Sequence, residues 1–295
     1  MSADLHCHTR LSDGSVGIEE LINLAVAGGV TTLAITDHDC MAANVRAKLI
    51  GERNGIKVIP GVEISATDTV EHKNVHILAY LCDSPDRLEG LCHRNAVIRK
   101  KMGQFMMLKA ASKFPITKEL VLKCASGSTN LYKQHIMHAL MESGHTTSIY
   151  GELYDRLFNP GSEDNILVPA NPPFPAVEEV VEAVHSAGGI AVLAHPALYD
   201  NFALIDRLLP LGLDGLEVWH PTADEAAVER LTAIATKHKL LMTGGSDFHG
   251  MYNRGELYLG KYSPSQKNID DLLNYKSRKK RQQKRLEAKA ASETA

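Results

Sequence analysis

Residues 30–39 read Val-Thr-Thr-Leu-Ala-Ile-Thr-Asp-His-Asp. The apolar, β-branched run Val30–Thr36 has the composition of a strand buried on both faces, as in a parallel sheet covered by helices. A histidine, His38, stands two residues after it. Upstream, Ile18–Ala27 is an amphipathic helical stretch that stops at Gly28-Gly29. Downstream, Asn44–Arg53 reads as a second helix ended by Asn54-Gly55, and Lys57–Pro60 and Val75–Leu81 read as strands. A further strand starts at Asp4–His8. This βαβα rhythm predicts a parallel sheet or barrel.

The rhythm breaks near residue 84. Leu88–Lys113 has the pattern of one long helix with basic and Met-rich faces, and Met102, Met106 and Met107 read as its core side. Lys118–Cys124 and Tyr132–Ser143 are shorter helical segments, and a Gly/Pro/Asn-rich stretch, Asn159–Pro175, leads back. The alternation resumes with a helix from Val177 to His185. Strands are expected at Ile190–Ala194, Leu213–His220 and Leu240–Gly244, with helices at Phe202–Leu209 and Ala223–His238. The expected organisation is an α/β barrel built from residues 1–84 and 176–275, a helical insertion at 85–175 and a basic tail at 276–295.

With 295 residues and 44% hydrophobic content, the chain can build a substantial core. No run approaches the ~20 apolar residues of a membrane span. No charged-then-apolar signal segment opens the chain, and its five cysteines include no CxxC pair; free thiols in a reducing cytoplasm are expected. Residues 276–295 hold eight Lys/Arg against two Asp/Glu, a balance of +6, while the whole chain is −3 and residues 1–275 therefore carry −9. That distribution excludes a global basic footprint for nucleic acid. The run Lys276–Arg281 reads as a solvated, frayed helix or tail, with a phosphate-backbone contact as the sharper alternative.

Nine residues with metal-ligand side chains sit near the ends of strand-like runs: His6, His8, Asp13, His38, Glu63, His76, His195, Asp247 and His249. In parallel β/α folds the carboxyl ends of strands gather functional groups. His6 and His8 are two apart on a strand and so share a face, whereas Cys7 between them faces away. Six imidazoles and three carboxylates suit two to three divalent ions such as Mn²⁺, Zn²⁺ or Fe²⁺. Asp37 reads either as an orienting partner of an imidazole or as a turn residue. His220 ends a strand and is a candidate substrate contact. His72, His93, His138, His145, His185 and His238 fall in helical or loop contexts and are given no role.

The segments DLHCHTRLSDGS, AITDHD, VIPGVEIS, HILAYL, AGGIAVLAHP and TGGSDFHG resemble the motifs of the polymerase-and-histidinol-phosphatase (PHP) family. The resemblance covers about residues 1–83 and 176–262. It implies a distorted seven-stranded, TIM-like (β/α) barrel with a two- or three-metal centre. By the family pattern, one metal takes His6, His8, Glu63 and Asp247, a second takes Glu63, His76 and His195, and a third takes Asp13, His38 and His249. The catalytic hydroxide would be held through Glu63, His76, His195 and Asp247. The helical insertion and the phrase GLDGLEVWHPTADE resemble the small subgroup acting on nucleoside 3′,5′-bisphosphates and short oligonucleotides. The implied partners are a nucleotide or another phosphorylated small molecule, inorganic phosphate and short RNA, with no membrane.

Two departures bear on substrate contacts. Lys133-Gln134-His135 stands where the subgroup has Arg-Pro-His, and Cys40 stands where a Thr usually follows TDHD. Lysine binds phosphate as a point charge without the bidentate fork of arginine. Lys133, His135 and Arg99 are the expected phosphate contacts. Two other readings compete: a phosphatase on another small phosphate, such as histidinol phosphate, and a non-catalytic PHP module in a nucleic-acid assembly. A module without catalysis would lack ligands, and none is missing.

Overall fold

The apolar runs read in the sequence become seven strands of one sheet, in the spatial order β1 to β7. The structure, a computed structural model, describes residues 2–167 and 173–293. Residues 168–172, inside the Asn159–Pro175 stretch, lie outside the described residues.

Strands β1 (Ser2–Asp4), β2 (Val30–Ile35) and β3 (Lys57–Asp68) pair in parallel through helices α1 (Ile18–Ala27) and α2 (Asn44–Arg53). Strand β4 (Lys73–Tyr80) departs from the expectation. It pairs antiparallel with both β3 and β5 (Ile190–Leu193). The expected strand at Lys57–Pro60 runs on to Asp68, and the chain turns back through a tight link in which His72 adopts φ 55°. Glu63 and His76 therefore lie within a long hairpin, where Glu63 pairs with Leu78 and Ser65 with His76. Parallel pairing resumes with β6 (Gly215–Trp219) and β7 (Leu241–Gly244). The first and last strands approach where the Leu5 N–H donates to the Gly244 carbonyl at 3.2 Å, and Cys7 bridges Phe248 in parallel.

Helices α3 (Glu89–Lys113), α4 (Lys118–Cys124), α5 (Lys133–Glu142) and α6 (Glu152–Phe158) fill the stretch between β4 and β5. The α6 segment, ELYDRLF, was not foreseen as a helix; it is two turns long and follows a glycine at φ 158°. These helices share an apolar cluster of their own, with Met106, Met107, Ile136, Leu140, Leu157 and Phe158, which Tyr252 joins from the loop after β7. Helices α7 (Val177–Ser186), α8 (Phe202–Leu208) and α9 (Glu225–His238) cover the outer face of the sheet through Val180, Val184, Leu204 and Leu231.

The basic run lies in a helix, α10 (Gln266–Glu293), whose first turns, ahead of the run, are docked, while residues 277–281 are exposed as expected of a solvated helix. Ile269 and Leu272 are fully buried among Leu5, Tyr80, Ile190 and Leu241, at the end of the strands away from the candidate ligands. Burial of two such side chains contributes about 1.5–3 kcal/mol each. Lys276 donates to the Leu81 and Gly188 carbonyls at 2.7 and 3.1 Å, and Tyr275 and Lys279 both reach Asp214. None of the five cysteines is in a disulfide. No helix among the described residues is long and apolar enough to cross a membrane.

Candidate functional site

The nine candidate ligands come together. His6 Nε2 lies 3.3 Å from Glu63 Oε2 and 3.4 Å from Asp247 Oδ1; His8 Nε2 lies 3.2 and 3.1 Å from the same two atoms. Ligand atoms bound to one ion at about 2.0–2.1 Å with tetrahedral angles stand about 3.3 Å apart. Glu63 turns its other oxygen to His76 Nδ1 at 2.7 Å and His195 Nε2 at 2.9 Å, and those two nitrogens are 3.3 Å apart. Asp13 Oδ1 meets His249 Nε2 at 3.3 Å, and Asp13 Oδ2 is 3.8 Å from His38 Nε2. The groupings overlap instead of separating as the resemblance implies: Asp13, His38 and His249 gather with His8, and Glu63 is shared between His6 with His195 and His38 with His76.

Several of these atoms are buried with no hydrogen-bond partner: His6 Nε2, His8 Nε2, Asp13 Oδ1, His38 Nδ1 and Glu63 Oε2. Leaving such groups unpaired is costly. Their convergence, as imidazole nitrogens against carboxylate oxygens, fits divalent cations. Four overlapping groups of three or four residues hold their ligand atoms within 4.8 Å of one another.

The charges are mutually dependent. Burial alone would raise the Glu63 carboxyl, but the imidazoles of His38, His76, His6 and His195 hold it well below the usual carboxylate range. Asp247 is likewise held low against burial, by His249, His6, His220 and His8. His8 shows the reverse balance: burial opposes its proton, yet Asp247 and Glu63 lift it to about 10. A proton there occupies the place a dication would fill, so loading a metal releases protons.

The local backbone is shaped for this convergence. Asp39, His195 and Asp247 adopt φ of 51°, 28° and 52°, which L-residues rarely hold. Such strain gathers at functional sites and needs surrounding structure to fix it. Gly245 is required by close approach, since a Cβ there would lie 2.4 Å from the Cβ of His6. Asp4 ties the two ends together by accepting from the His6, Ser246 and Gly260 N–H groups.

Other expectations are met differently. Asp37 touches no imidazole; it accepts from the Thr9 N–H and hydroxyl, both at 2.7 Å, and from the Ser12 hydroxyl at 2.6 Å. Its link to His8 runs through Ser12, whose oxygen is 3.4 Å from His8 Nδ1. His135 is corrected more strongly. Its ring is buried, and Nδ1 accepts the Tyr132 N–H at 3.2 Å, capping α5. Burial pushes its ionisation down to about 4. A neutral capping imidazole outside the cavity lining is not a phosphate contact. Cys7 packs with Leu21 and Ile35, away from the site, as its alternation predicts.

A cavity of about 570 Å³ opens over the cluster, lined by Asp13, His38, Glu63, His195 and Asp247, and by Lys133, Tyr150, Tyr154 and Arg254 on its other walls. His220 lines it too. The Thr222 N–H donates to His220 Nδ1 at 3.1 Å, so a neutral His220 carries its proton on Nε2, 3.4 Å from Asp247 Oδ2. Arg99 is partly buried and held by Asp39 and Ser65, with its guanidinium 5.1 Å from the Tyr132 ring centroid and 5.2 Å from that of Phe174.

Two residues escaped the sequence reading. Glu217 lies inside an apolar strand, Leu-Glu-Val-Trp, where period-2 alternation was its only signal. Arg254, which stacks on Tyr150 and Tyr154 at 4.7 and 5.4 Å, sits in a loop with no motif. Burial, with Arg254 and then Arg99 adding to it, lowers the ionisation of Lys133. Neither Lys133 nor Arg254 has a carboxylate partner among the described residues.

Residues 4–189 match the PHP domain family. This chain belongs to that family. It is 35% identical over 257 residues to a phosphoribosyl 1,2-cyclic phosphate 1,2-diphosphodiesterase of Eggerthella lenta, covering 86% of this chain and 96% of that one. It is 32% identical to the 5′-3′ exoribonuclease Rnm of Escherichia coli, over 83% of this chain and 84% of that protein. A crystal structure from Bifidobacterium adolescentis, assigned as a metal-dependent phosphoesterase, superposes with a TM-score of 0.81 at 32% identity, covering 92% of this chain and 95% of that one. The PHP chain is an enzyme, a metal-dependent phosphoric ester hydrolase.

Proposed function

We propose that this PHP enzyme hydrolyses a phosphate ester of a nucleotide-like substrate that carries a second phosphate remote from the scissile one. One observation carries the proposal. A floor of unsatisfied ligand atoms and a wall bearing Arg99, Lys133 and Arg254 face one cavity. Arg99 is paired with Asp39, but Lys133 and Arg254 have no carboxylate partner among the described residues, and such uncompensated cations favour an anion between them. The cyclic phosphate and RNA in the names of the two relatives fit a multiply phosphorylated substrate.

In this reading the nine candidate ligands hold two to three divalent metals, Mn²⁺, Zn²⁺ or Fe²⁺. When bound, such ions lower the pKa of water and neutralise charge on a transferring phosphoryl group. Glu63 shares its two oxygens between neighbouring positions and fixes their separation. His220 lines the cavity and, with its Nε2–H on Asp247 Oδ2, orients that carboxylate beside the substrate. Lys133 and Arg254 bind the remote phosphate, and Arg99 supports the same wall through its hold on Asp39. Remote contacts position the phosphorus for in-line attack.

The approach of Leu5 and Gly244 supports a closed, distorted seven-stranded barrel. Helices α3–α6, with their own apolar cluster and their share of the cavity wall, support a cap formed by 85–175 over its carboxyl rim.

A panel of phosphate esters tests the reading: nucleoside 3′,5′-bisphosphates, monophosphates, a 1,2-cyclic ribose phosphate, short RNAs and histidinol phosphate. The expected result is a kcat/KM for doubly phosphorylated substrates at least tenfold above that for monophosphates. Equal rates across the panel would leave only generic phosphoester hydrolysis.

A further inference from the structure

Beneath the candidate ligands lies a buried carboxylate to which nothing above assigns a role. Glu217, on β6, reaches both His6, which follows β1, and His195, which follows β5. Its Oε1 is 2.9 Å from His6 Nδ1, and its Oε2 accepts the His195 backbone N–H at 2.8 Å. Glu217 is 1% exposed, and neither oxygen is among the unsatisfied buried atoms. It is therefore no ligand in waiting, unlike Glu63, whose Oε2 has no hydrogen-bond partner.

We infer that Glu217 is a positioning residue that sets the tautomer of His6 and the backbone of His195, and so couples two of the candidate metal positions. An ionised carboxylate only accepts, so His6 must carry its proton on Nδ1. The Nε2 lone pair of neutral His6 then faces Glu63 Oε2 and Asp247 Oδ1, where a cation would sit. The second oxygen acts on backbone. His195 holds φ 28°, and a buried hydrogen bond to its N–H stabilises that unusual conformation. Carboxylate partners of this kind orient ligating imidazoles and raise their basicity. The inference rests on the PHP metal centre proposed above, but its test is separate from substrate identity.

Glu217→Gln gives a specific prediction because an amide has one acceptor and one donor. With its oxygen on the His195 N–H, its NH₂ faces His6 Nδ1 and forces the proton onto Nε2, against the cation. In the opposite flip, the NH₂ meets the His195 N–H and the strained backbone loses its acceptor. Neither flip serves both partners.

The experiment measures Mn²⁺ and Zn²⁺ affinity of the full chain by competition with a chromophoric chelator, and the visible spectrum of the Co²⁺-loaded protein. Glu217→Gln should lose about 10–100-fold in metal affinity, with an altered Co²⁺ spectrum. A merely structural residue would lower the Tm of the stripped and loaded protein equally and leave affinity unchanged. Affinity within twofold of wild type with an identical Co²⁺ spectrum would overturn the inference. The Zn²⁺-loaded wild type provides an arm that needs no variant: long-range ¹H–¹⁵N correlations should show His6 with its one ring proton on Nδ1. A ring proton on Nε2 with Nδ1 bare would overturn it as well. Failure of the substrate panel together with loss of affinity in Glu217→Gln would refute the proposed substrate and leave this inference standing.

Discussion

Arg99 donates from Nε to Asp39 Oδ2 at 2.9 Å, joining the middle of α3 to the residue that follows His38. The same carboxylate accepts from Asn95 Nδ2 at 2.7 Å and from the Ser65 N–H at 3.0 Å. One buried side chain thus ties the helical segment, the loop after β2 and strand β3 together beside the candidate metal centre. Arg99→Lys should destabilise the fold by about 1–3 kcal/mol, because a lysine cannot reproduce the two-pronged contact and leaves Asp39 under-satisfied. Urea unfolding of the metal-free protein checks this; unchanged stability would separate Arg99 from the architecture.

Glu63 is the hinge of the proposed centre, since its two oxygens face different groups of imidazoles. Glu63→Gln should release metal and cut kcat/KM by more than about a thousandfold, in line with the several kcal/mol that bound metal supplies to charge stabilisation. Elemental analysis and phosphate release on the same sample decide it, with loss of both expected together.

Metal should also stabilise the fold. Ions that bind only the native state at a hundred times their Kd add about 2.7 kcal/mol. A chelated sample should therefore melt lower than the loaded one and recover on adding Mn²⁺, and equal melting temperatures would argue against native-state binding.

Lys133→Ala should raise KM for a nucleoside 3′,5′-bisphosphate about ten- to a hundredfold, the worth of one charge-assisted contact at 1.5–3 kcal/mol. The monophosphate should be hardly affected. A parallel loss on both substrates would assign Lys133 to structure instead.

Asp214 anchors α10 by accepting from His185, the Ala191 N–H, Tyr275 and Lys279. Burial alone would raise its carboxyl, but these donors hold it below the usual range. A lowered carboxyl stabilises the fold above its unfolded pKa, and that contribution is lost as pH falls through the folded value. Asp214→Asn should thus be less stable than wild type at pH 7, with the gap closing below about pH 4. A gap of constant size from pH 7 to pH 3 would contradict the assignment.

Much of this was legible in the sequence, for identifiable reasons. Helix α2 carries its own stop in Asn54-Gly55 and falls where the pattern places it. His6, His8 and Asp247 reveal themselves by spacing at strand ends. The direction of β4 was not legible, because apolar periodicity carries no sense of orientation and the β3–β4 turn lacks an Asn-Gly signal. His135 has the chemistry of a ligand, but whether it caps its own helix or faces the cavity depends on packing that motif spacing does not encode. Glu217 was hidden for the opposite reason: one carboxylate in an apolar strand becomes meaningful only when β1 and β5 bring His6 and His195 to it. The basic run is solvated over residues 277–281, as its charge pattern implies; that Lys276 and Lys279 also reach Asp83 and Asp214 was not legible, because those partners are remote in sequence.

Metal titration of the chelator-stripped protein, followed by phosphate release from a nucleoside 3′,5′-bisphosphate, tests the central claim most directly. The stripped enzyme should be inactive, and activity should rise to a plateau at two to three equivalents of Mn²⁺. Full activity before any metal is added, with metal content below one equivalent, would contradict it.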